Sequence, residues 1–337
     1  MTLFTLRMLS FTNGYGNLKG MNLTKMTTKM TTKRMSSLNS LLIENAKKGD
    51  LNKVKNLIAR GADIHAESDS ALLVSSCEGH LNIVKFLVEK GADIHTGFDG
   101  ALRWSGAYGH LDVVKYLVEN DCNIHADSEY TLRLSARNGH FNVVKYLVEN
   151  GADIHADSDE ALRLSAVRGY FNIVKYLVEN GGDIHADSEY ALRYSAREGH
   201  LDIVKYLTEK GANIHAYSEE ALYHSAGAGH VDIVKFLVEN GSNLHANAEY
   251  AFRLSAARGH LSIVKYLVKK GADIHVSNNS ALQWSAYEGR LNVVKFLIQK
   301  DADIRHVNNN IITKCLFQIN NVIYTIDDYI HEWLWKP

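Results

Sequence analysis

Proline and cysteine are scarce in this chain of 337 residues. The one proline is Pro337, and the three cysteines are Cys77, Cys122 and Cys315. The cysteines lie too far apart in sequence for the paired spacing of a zinc site or a redox motif. The sequence therefore gives no sign of a disulfide framework, and a reducing compartment such as the cytoplasm fits it best.

Long apolar runs and catalytic motifs are also missing. No apolar run approaches the length of about 18 residues that spans a bilayer, so we expect no membrane segment. The sequence contains no phosphate-binding glycine-rich loop, no His-Glu-x-x-His motif and no nucleophile set apart from the general pattern. Because an active site needs asymmetric, converging groups, we predict that the protein is not an enzyme and has no cofactor.

What the chain does contain is one unit of thirty residues, which occurs nine times without insertion over 41–310. The unit 131–160, TLRLSARNGHFNVVKYLVENGADIHADSDE, is typical of the series. A short, fixed period indicates a supersecondary unit that cannot bury its apolar face alone and is completed by its neighbours. We therefore expect one elongated repeat domain.

Each unit predicts two helices. The first apolar pattern contains small residues that let a neighbouring helix approach closely, and the second has the i, i+3, i+4, i+7 spacing of a helix with one buried face. Gly139 and Gly151 end the two patterns, where a positive φ is least costly for glycine. The pattern residues in 131–160 are Leu132, Leu134, Ser135 and Ala136 for the first helix and Phe141, Val143, Val144, Leu147 and Val148 for the second.

The block 139–156, Gly-His-x-x-Val-Val-Lys-x-Leu-Val-x-x-Gly-Ala-Asp-Ile-His-Ala, resembles the ankyrin repeat, and the resemblance covers nearly all of 41–310. It implies an all-α solenoid of stacked helix-turn-helix repeats whose concave surface binds a partner protein. Two features depart from the family. The helix-opening proline is missing throughout, and the repeat of 30 residues is shorter than the usual period of about 33.

The shortening falls between Ala126 and Leu132, where the family forms its β-hairpin finger. We therefore expect shortened loops and little or no strand. Compact repeats of this kind resemble those abundant in giant DNA viruses, and a viral origin would imply the cytoplasm of the host cell.

The segments that flank the repeats have their own composition. Residues 1–40 contain six basic residues and no acid, and we expect a basic, disordered leader there, with a targeting arm as the alternative. Unit 41–70 has polar residues at apolar positions, as expected of an N-terminal cap. In 311–337 the apolar residues recur at helical spacing, which favours one or two capping helices; the alternative is a tail that recruits a partner.

Histidine and arginine form columns at fixed positions of the repeat. Histidines of neighbouring repeats would be about 8 to 10 Å apart, too far to share an ion, so we predict structural roles and no metal. The arginines could bind phosphate or nucleic acid, but an acid four residues before each one favours a neutralised, structural role. The columns are His65, His95, His125, His155, His185, His215, His245 and His275; His80, His110, His140, His200, His230 and His260; and Arg103, Arg133, Arg163, Arg193 and Arg253.

Net charge gives no general attraction for nucleic acid. The whole chain has a formal charge of −1 and residues 1–40 have +6, which leaves −7 for 41–337. Nucleic acid is therefore an unfavoured partner.

The repeats differ most just before each Gly-His turn and at one position further upstream. In ankyrin proteins the matching positions line the concave surface and contact the partner, so we predict a monomeric, non-catalytic scaffold for protein–protein interaction. Neutral drift of an exposed face is the alternative. The candidate contacts are Tyr108, Arg137, Arg168, Arg197, Arg258 and Tyr287 in the first row and Trp104, Tyr194, His224 and Trp284 in the second.

Overall fold

The computed structural model describes residues 23–303, and that range contains eighteen α-helices and no β-strand. The prediction of an all-α repeat fold with little or no strand is confirmed over this range. The chain divides into two compact units, 1–97 and 98–337.

The first unit begins with a long helix that packs against the next two helices. Its helices are α1 (Leu23–Lys47), α2 (Leu51–Ala59), α3 (Ala66–Cys77) and α4 (Leu81–Glu89). Helices α2 and α3 each pack against α4. The first unit therefore contains two helix pairs, α1 with α2 and α3 with α4.

Helix α1 starts well before the first predicted repeat. Leu38 and Leu42 are buried, and Asn39 Oδ1 accepts a hydrogen bond of 2.8 Å from the backbone N–H of Asp63. Residues 23–40 are therefore helical, which corrects the disordered leader expected over all of 1–40. The reason is that burial of Leu38 and the hydrogen bond from Asp63 to Asn39 fix this part of α1 against the first repeat. Residues 1–22 and the predicted capping segment 311–337 lie outside the described residues.

In the second unit, first and second helices alternate. The first helices are α5 (Thr96–Ala107), α7 (Ala126–Arg137), α9 (Ala156–Val167), α11 (Ala186–Glu198), α13 (Ala216–Ala228), α15 (Ala246–Arg258) and α17 (Val276–Tyr287). The second helices are α6 (Leu111–Glu119), α8 (Phe141–Glu149), α10 (Phe171–Glu179), α12 (Leu201–Glu209), α14 (Val231–Glu239), α16 (Leu261–Lys269) and α18 (Leu291–Ile298). From α7 onward each first helix packs against the next, and the second helices form a row in the same way.

The core lies between the two rows of helices. Val143, Val144 and Leu147 of α8 are fully buried, and each such side chain contributes about 1.5–3 kcal/mol by burial. On α7, Ser135 and Ala136 are also fully buried, as expected of small residues where helices approach closely. The hydroxyl of Ser135 donates to its own helix, to the carbonyl of Thr131, so its burial leaves no donor unpaired.

A left-handed turn replaces the finger of the longer repeat. Asp157, Ser158 and Asp159 have φ values of +50°, +57° and +55°, and the right-handed part of α9 follows directly. Left-handed backbone costs about 1–2 kcal/mol per residue, with Asp and Asn the most tolerant side chains. The same turn occurs at 67–69, 127–129, 187–189, 217–219, 247–249 and 277–279, and a glycine opens its counterpart at 97–99. Seven more loops thus carry strain that other contacts must offset.

Candidate functional site

The six candidates of the first row are all exposed, at the C-terminal ends of first helices. Tyr108 is 55% exposed and Tyr287 is 76% exposed. The side chains of Arg137, Arg168, Arg258 and Tyr287 form no hydrogen bond, ion pair or ring contact with any residue of 23–303. Arg197 differs slightly, because it lies 3.5 Å from Glu198 and over the Tyr194 ring. This edge of the second unit therefore presents long side chains that the described chain does not use.

The second row is divided between surface and interior. Trp104 and Trp284 are exposed at 43% and 37%, and Trp104 lies 6.3 Å from Tyr108 between ring centroids. Tyr194 and His224 are half-buried. Eight of the ten candidates are thus exposed, and two belong to a cluster inside the array.

That cluster joins three consecutive repeats. The Tyr190 and Tyr194 rings stack at 4.1 Å, and Tyr194 lies 6.4 Å from the His224 ring. Glu220, which is 8% exposed, pairs with Arg193 and accepts a hydrogen bond of 2.9 Å from His224 Nε2. Tyr194 and His224 are therefore held by neighbours in the chain, and their role in stacking repeats is visible in the structure.

A column of buried acids links successive repeats, and the sequence did not reveal its role. Asp159, at the third position of the left-handed turn, accepts the backbone N–H of Asp183 in the next repeat at 2.8 Å. Its oxygens also lie 3.2 and 3.3 Å from His155 Nδ1. The same bond across 24 residues is made by Asn39, Asp69, Asp99, Glu219, Glu249 and Asn279. The signal was present in the sequence as a polar acceptor at this position of every repeat.

Both histidine columns have partners that explain them. Six histidines of the first column pair with the buried acids, as His155 does with Asp159, and His275 pairs with Asn279 in the same position. In the second, His200 Nε2 hydrogen-bonds the carbonyl of Val167 in the preceding repeat at 3.0 Å, and His140 does the same with Ala107 at 2.9 Å. The predicted structural role, satisfying loop backbone groups, is confirmed for these residues.

Four of the five arginines in the column are neutralised, but not by the acids that the sequence suggested. Arg163 binds Asp187 at 3.1 Å, 24 residues later, and not Asp159, four residues earlier. Arg103 pairs with Asp127 in the same way at 2.9 Å, and Arg133 and Arg193 also pair with carboxylates at the start of the first helix that follows their own. The prediction of pairs within one helix is wrong because the acids four residues earlier lie in the left-handed turn. There they bind histidine and the next repeat.

Aromatic rings flank the same arginines. The Tyr130 ring lies 5.0 Å from the Arg103 guanidinium and 5.5 Å from that of Arg133. Tyr190 lies in the same way between Arg163 and Arg193, at 5.1 and 6.0 Å. These loop tyrosines therefore cover the paired arginines and contribute cation–π attraction between repeats.

Two pKa shifts follow from these contacts. The pKa of His185 is raised above its ordinary value of 6.5, first because Glu189 hydrogen-bonds its imidazole. The pKa of Tyr190 is raised, chiefly by burial of its hydroxyl among the stacked rings.

Among residues 23–303, no three His, Cys, Asp or Glu side chains come together in a way that could hold a metal ion. In the same range, none of the helices combines the length and apolar character that crossing a membrane requires.

The architecture is that of a helical repeat array with an exposed, variable edge. A family model described as ankyrin repeats, three copies, matches residues 41–128, 107–188, 184–248 and 243–308. These matches span most of the sequence, and the chain belongs to the ankyrin-repeat family. Ankyrin repeats generally mediate protein–protein interaction, and the family is typically non-catalytic. A search of curated proteins gave no match to the chain.

Proposed function

We propose that this protein is a non-catalytic scaffold that binds a partner protein along the exposed ends of its first helices. In ankyrin arrays these helices face the concave surface. The observation that carries the proposal is the row of large side chains, Tyr108, Arg137, Arg168, Arg258 and Tyr287, exposed beside a framework whose histidines and most of whose arginines have partners within the chain.

The chemistry of this row suits protein recognition. Arginine and aromatic residues are the usual anchors of protein interfaces, because they bring large contact area and several donors to one place. The helices that carry them are fixed by the core and the inter-repeat bonds, so little backbone entropy is lost on binding. A rigid, pre-organised row of anchors therefore favours a stable complex.

Two alternatives are less well supported. Nucleic-acid binding through the arginine column would need free guanidinium groups, whereas Arg103, Arg133, Arg163 and Arg193 are 8–19% exposed and paired with carboxylates. The alternative of a recruiting tail concerns 311–337, outside the described residues.

A comparative pull-down tests the proposal. The full chain and a variant with alanine at Tyr108, Arg137, Arg168, Arg197, Arg258 and Tyr287 are incubated with cell extract, and retained proteins are identified by mass spectrometry. We expect a protein retained by the parent and lost by the variant at unchanged melting temperature. Equal recovery by both proteins would reject the assignment, and salt-sensitive DNA or RNA binding by both would favour the arginine column.

A further inference from the structure

One arginine of the column differs from the others. Arg103, Arg133, Arg163 and Arg193 each bind a carboxylate that stands 24 or 27 residues later. For Arg253 these two positions are Ser277 and Ser280. No carboxylate within 23–303 pairs with Arg253, whose Nη2 donates to the carbonyl of Asn247 at 3.0 Å.

The surroundings of Arg253 otherwise keep the features of the paired arginines. The Tyr250 ring lies 5.6 Å from its guanidinium, as Tyr130 and Tyr190 lie near theirs. The Trp284 ring, on the next first helix α17, lies 5.1 Å from the same guanidinium. Its Nε is buried without an acceptor, a property it shares with Arg103 and Arg133. The site is therefore a guanidinium between two rings that lacks the acid found in four equivalent places.

We propose that Arg253, with Tyr250 and Trp284, binds a carboxylate side chain of an acidic segment of the partner protein. The incoming carboxylate takes the place that Asp127 and Asp187 occupy on their own arginines. Such charge-assisted hydrogen bonds are strong, and the flanking rings hold the guanidinium plane in position. The inference rests on the proposed function, because it assigns a ligand chemistry to the same face.

The site is continuous with the exposed row. Trp284 and Tyr287 stand three residues apart on α17, so their side chains lie on the same side of the helix. Arg258 ends the helix that carries Arg253. A partner segment bound at Arg253 therefore lies next to the candidate contacts of the exposed row.

Charge along the row favours an acidic occupant. Between residues 137 and 258 the exposed helix ends carry Arg137, Arg168, Arg197 and Arg258 against one acid, Glu198. Four repeat steps of about 8–10 Å separate the first from the last. An extended chain rises about 3.3 Å per residue, so about ten to twelve residues would span them. The expected partner element is an extended acidic segment of that length.

The test replaces the missing carboxylate within the chain. Ser277→Asp introduces the residue that stands at 127, 157 and 187, where the backbone has the same left-handed φ of about +50°. The introduced carboxylate should pair with Arg253 and exclude a carboxylate of the partner protein. Ser277→Asn has the same shape without the charge, and Arg163→Gln removes an arginine that is already paired.

The probe is a fluorescein-labelled peptide of ten residues that alternates glutamate with serine, compared with its glutamine counterpart by anisotropy. We expect the full-length parent to prefer the glutamate peptide. Ser277→Asp and Arg253→Gln should weaken that binding about ten-fold, while Ser277→Asn and Arg163→Gln leave it within about two-fold. The melting temperature of Ser277→Asp should equal or exceed that of the parent.

Several outcomes would overturn the assignment. These are no glutamate preference in the parent, equal binding by Ser277→Asp and parent, or equal weakening by Ser277→Asp and Ser277→Asn. A phosphoserine peptide that binds more tightly and ignores Ser277→Asp would assign the row to phosphoproteins instead. A partner captured by the parent and by Ser277→Asp, but not by the six-alanine variant, would leave the proposed function standing and reject the carboxylate site alone.

Discussion

The two ends of helix α9 differ in whether their side chains bind other parts of the chain. At the N-terminal end, Asp159 is buried, binds His155 and accepts the backbone of the next repeat. At the C-terminal end, Arg168 is exposed, and its side chain forms no hydrogen bond, ion pair or ring contact with the residues that the structure describes. Across the repeats the first position holds Asp, Glu or Asn, whereas the second holds Tyr, Asn, Arg, Glu and Ala. A residue that serves the next repeat is restricted in chemistry, and one that does not is free to serve a partner.

The largest expected effect comes from removing a buried acceptor. Asp159→Ala leaves the N–H of Asp183 without its partner and places alanine in a left-handed turn. We expect the free energy of unfolding to fall by about 1–3 kcal/mol, measured by chemical denaturation at pH 7.

Asp159→Asn is the matched control for that change. Asn279 occupies the equivalent position and accepts the N–H of Asp303 at 2.9 Å. An amide oxygen should therefore preserve most of the stability that the aspartate provides. If Asp159→Ala and Asp159→Asn lose the same free energy of unfolding, the hydrogen bond across repeats is not what restricts this position to Asp, Glu and Asn.

A smaller loss is expected when a paired arginine is removed. Arg163→Ala breaks the ion pair with Asp187 and hydrogen bonds of 2.8 Å to the carbonyls of Asp157 and Ser158. Because Asp187 is about half exposed, we expect a loss of about 1–2 kcal/mol in the free energy of unfolding.

The control is Arg168→Ala at the C-cap of the same helix, which should leave the free energy of unfolding unchanged. Alanine forms helix at least as well as arginine, so helix propensity predicts no loss for either variant. Equal losses for Arg163→Ala and Arg168→Ala would therefore show that the ion pair with Asp187 is not what stabilises the array at Arg163.

The fold could be predicted from the sequence because periodicity reports burial directly. The positions of Val143, Val144 and Leu147 imply one buried helix face, and the short period implies that the finger is missing. The left-handed turn was hidden, since no pattern of apolar residues distinguishes it from any polar loop. The helix upstream of residue 41 was also hidden, because Leu38 stands among polar and basic residues.

The site was only partly predictable. Exposure of Arg168 and Tyr287 followed from variation between repeats, because a position without a partner in the chain is not constrained. Spacing within one helix predicts the wrong acid for the paired arginines, because their carboxylates lie at the start of the first helix that follows. Arg163 and Asp187 are 24 residues apart, a distance that becomes short only when repeats stack.

A modest, pH-dependent effect is expected from the histidine beside the buried acid. The pKa of His185 is raised in the folded protein, chiefly by its hydrogen bond of 2.6 Å to Glu189 Oε1. Its contribution to stability is therefore complete below the unfolded value of 6.5 and is lost as the pH rises through the folded pKa. In an NMR titration, the imidazole resonance that disappears in His185→Gln should have a midpoint above 6.5.

The denaturation midpoints of parent and His185→Gln give the matching control. Their difference should be larger at pH 6 than at pH 8. A difference that grows toward pH 8 would contradict the pairing with an ionised Glu189.

The smallest effect on stability is expected at the exposed row, and it is the sharpest test of the contrast within helix α9. Arg137→Ala and Arg258→Ala remove side chains with no described contact, so each should change the free energy of unfolding by less than about 0.5 kcal/mol. Both arginines end a first helix, where a cation interacts favourably with the helix dipole, by about 0.3–1 kcal/mol at low salt. Denaturation at low and high salt distinguishes an interaction with the helix dipole from a structural role in the framework. A loss that vanishes with salt would reflect the dipole, whereas a larger, salt-independent loss would mean that the row belongs to the framework.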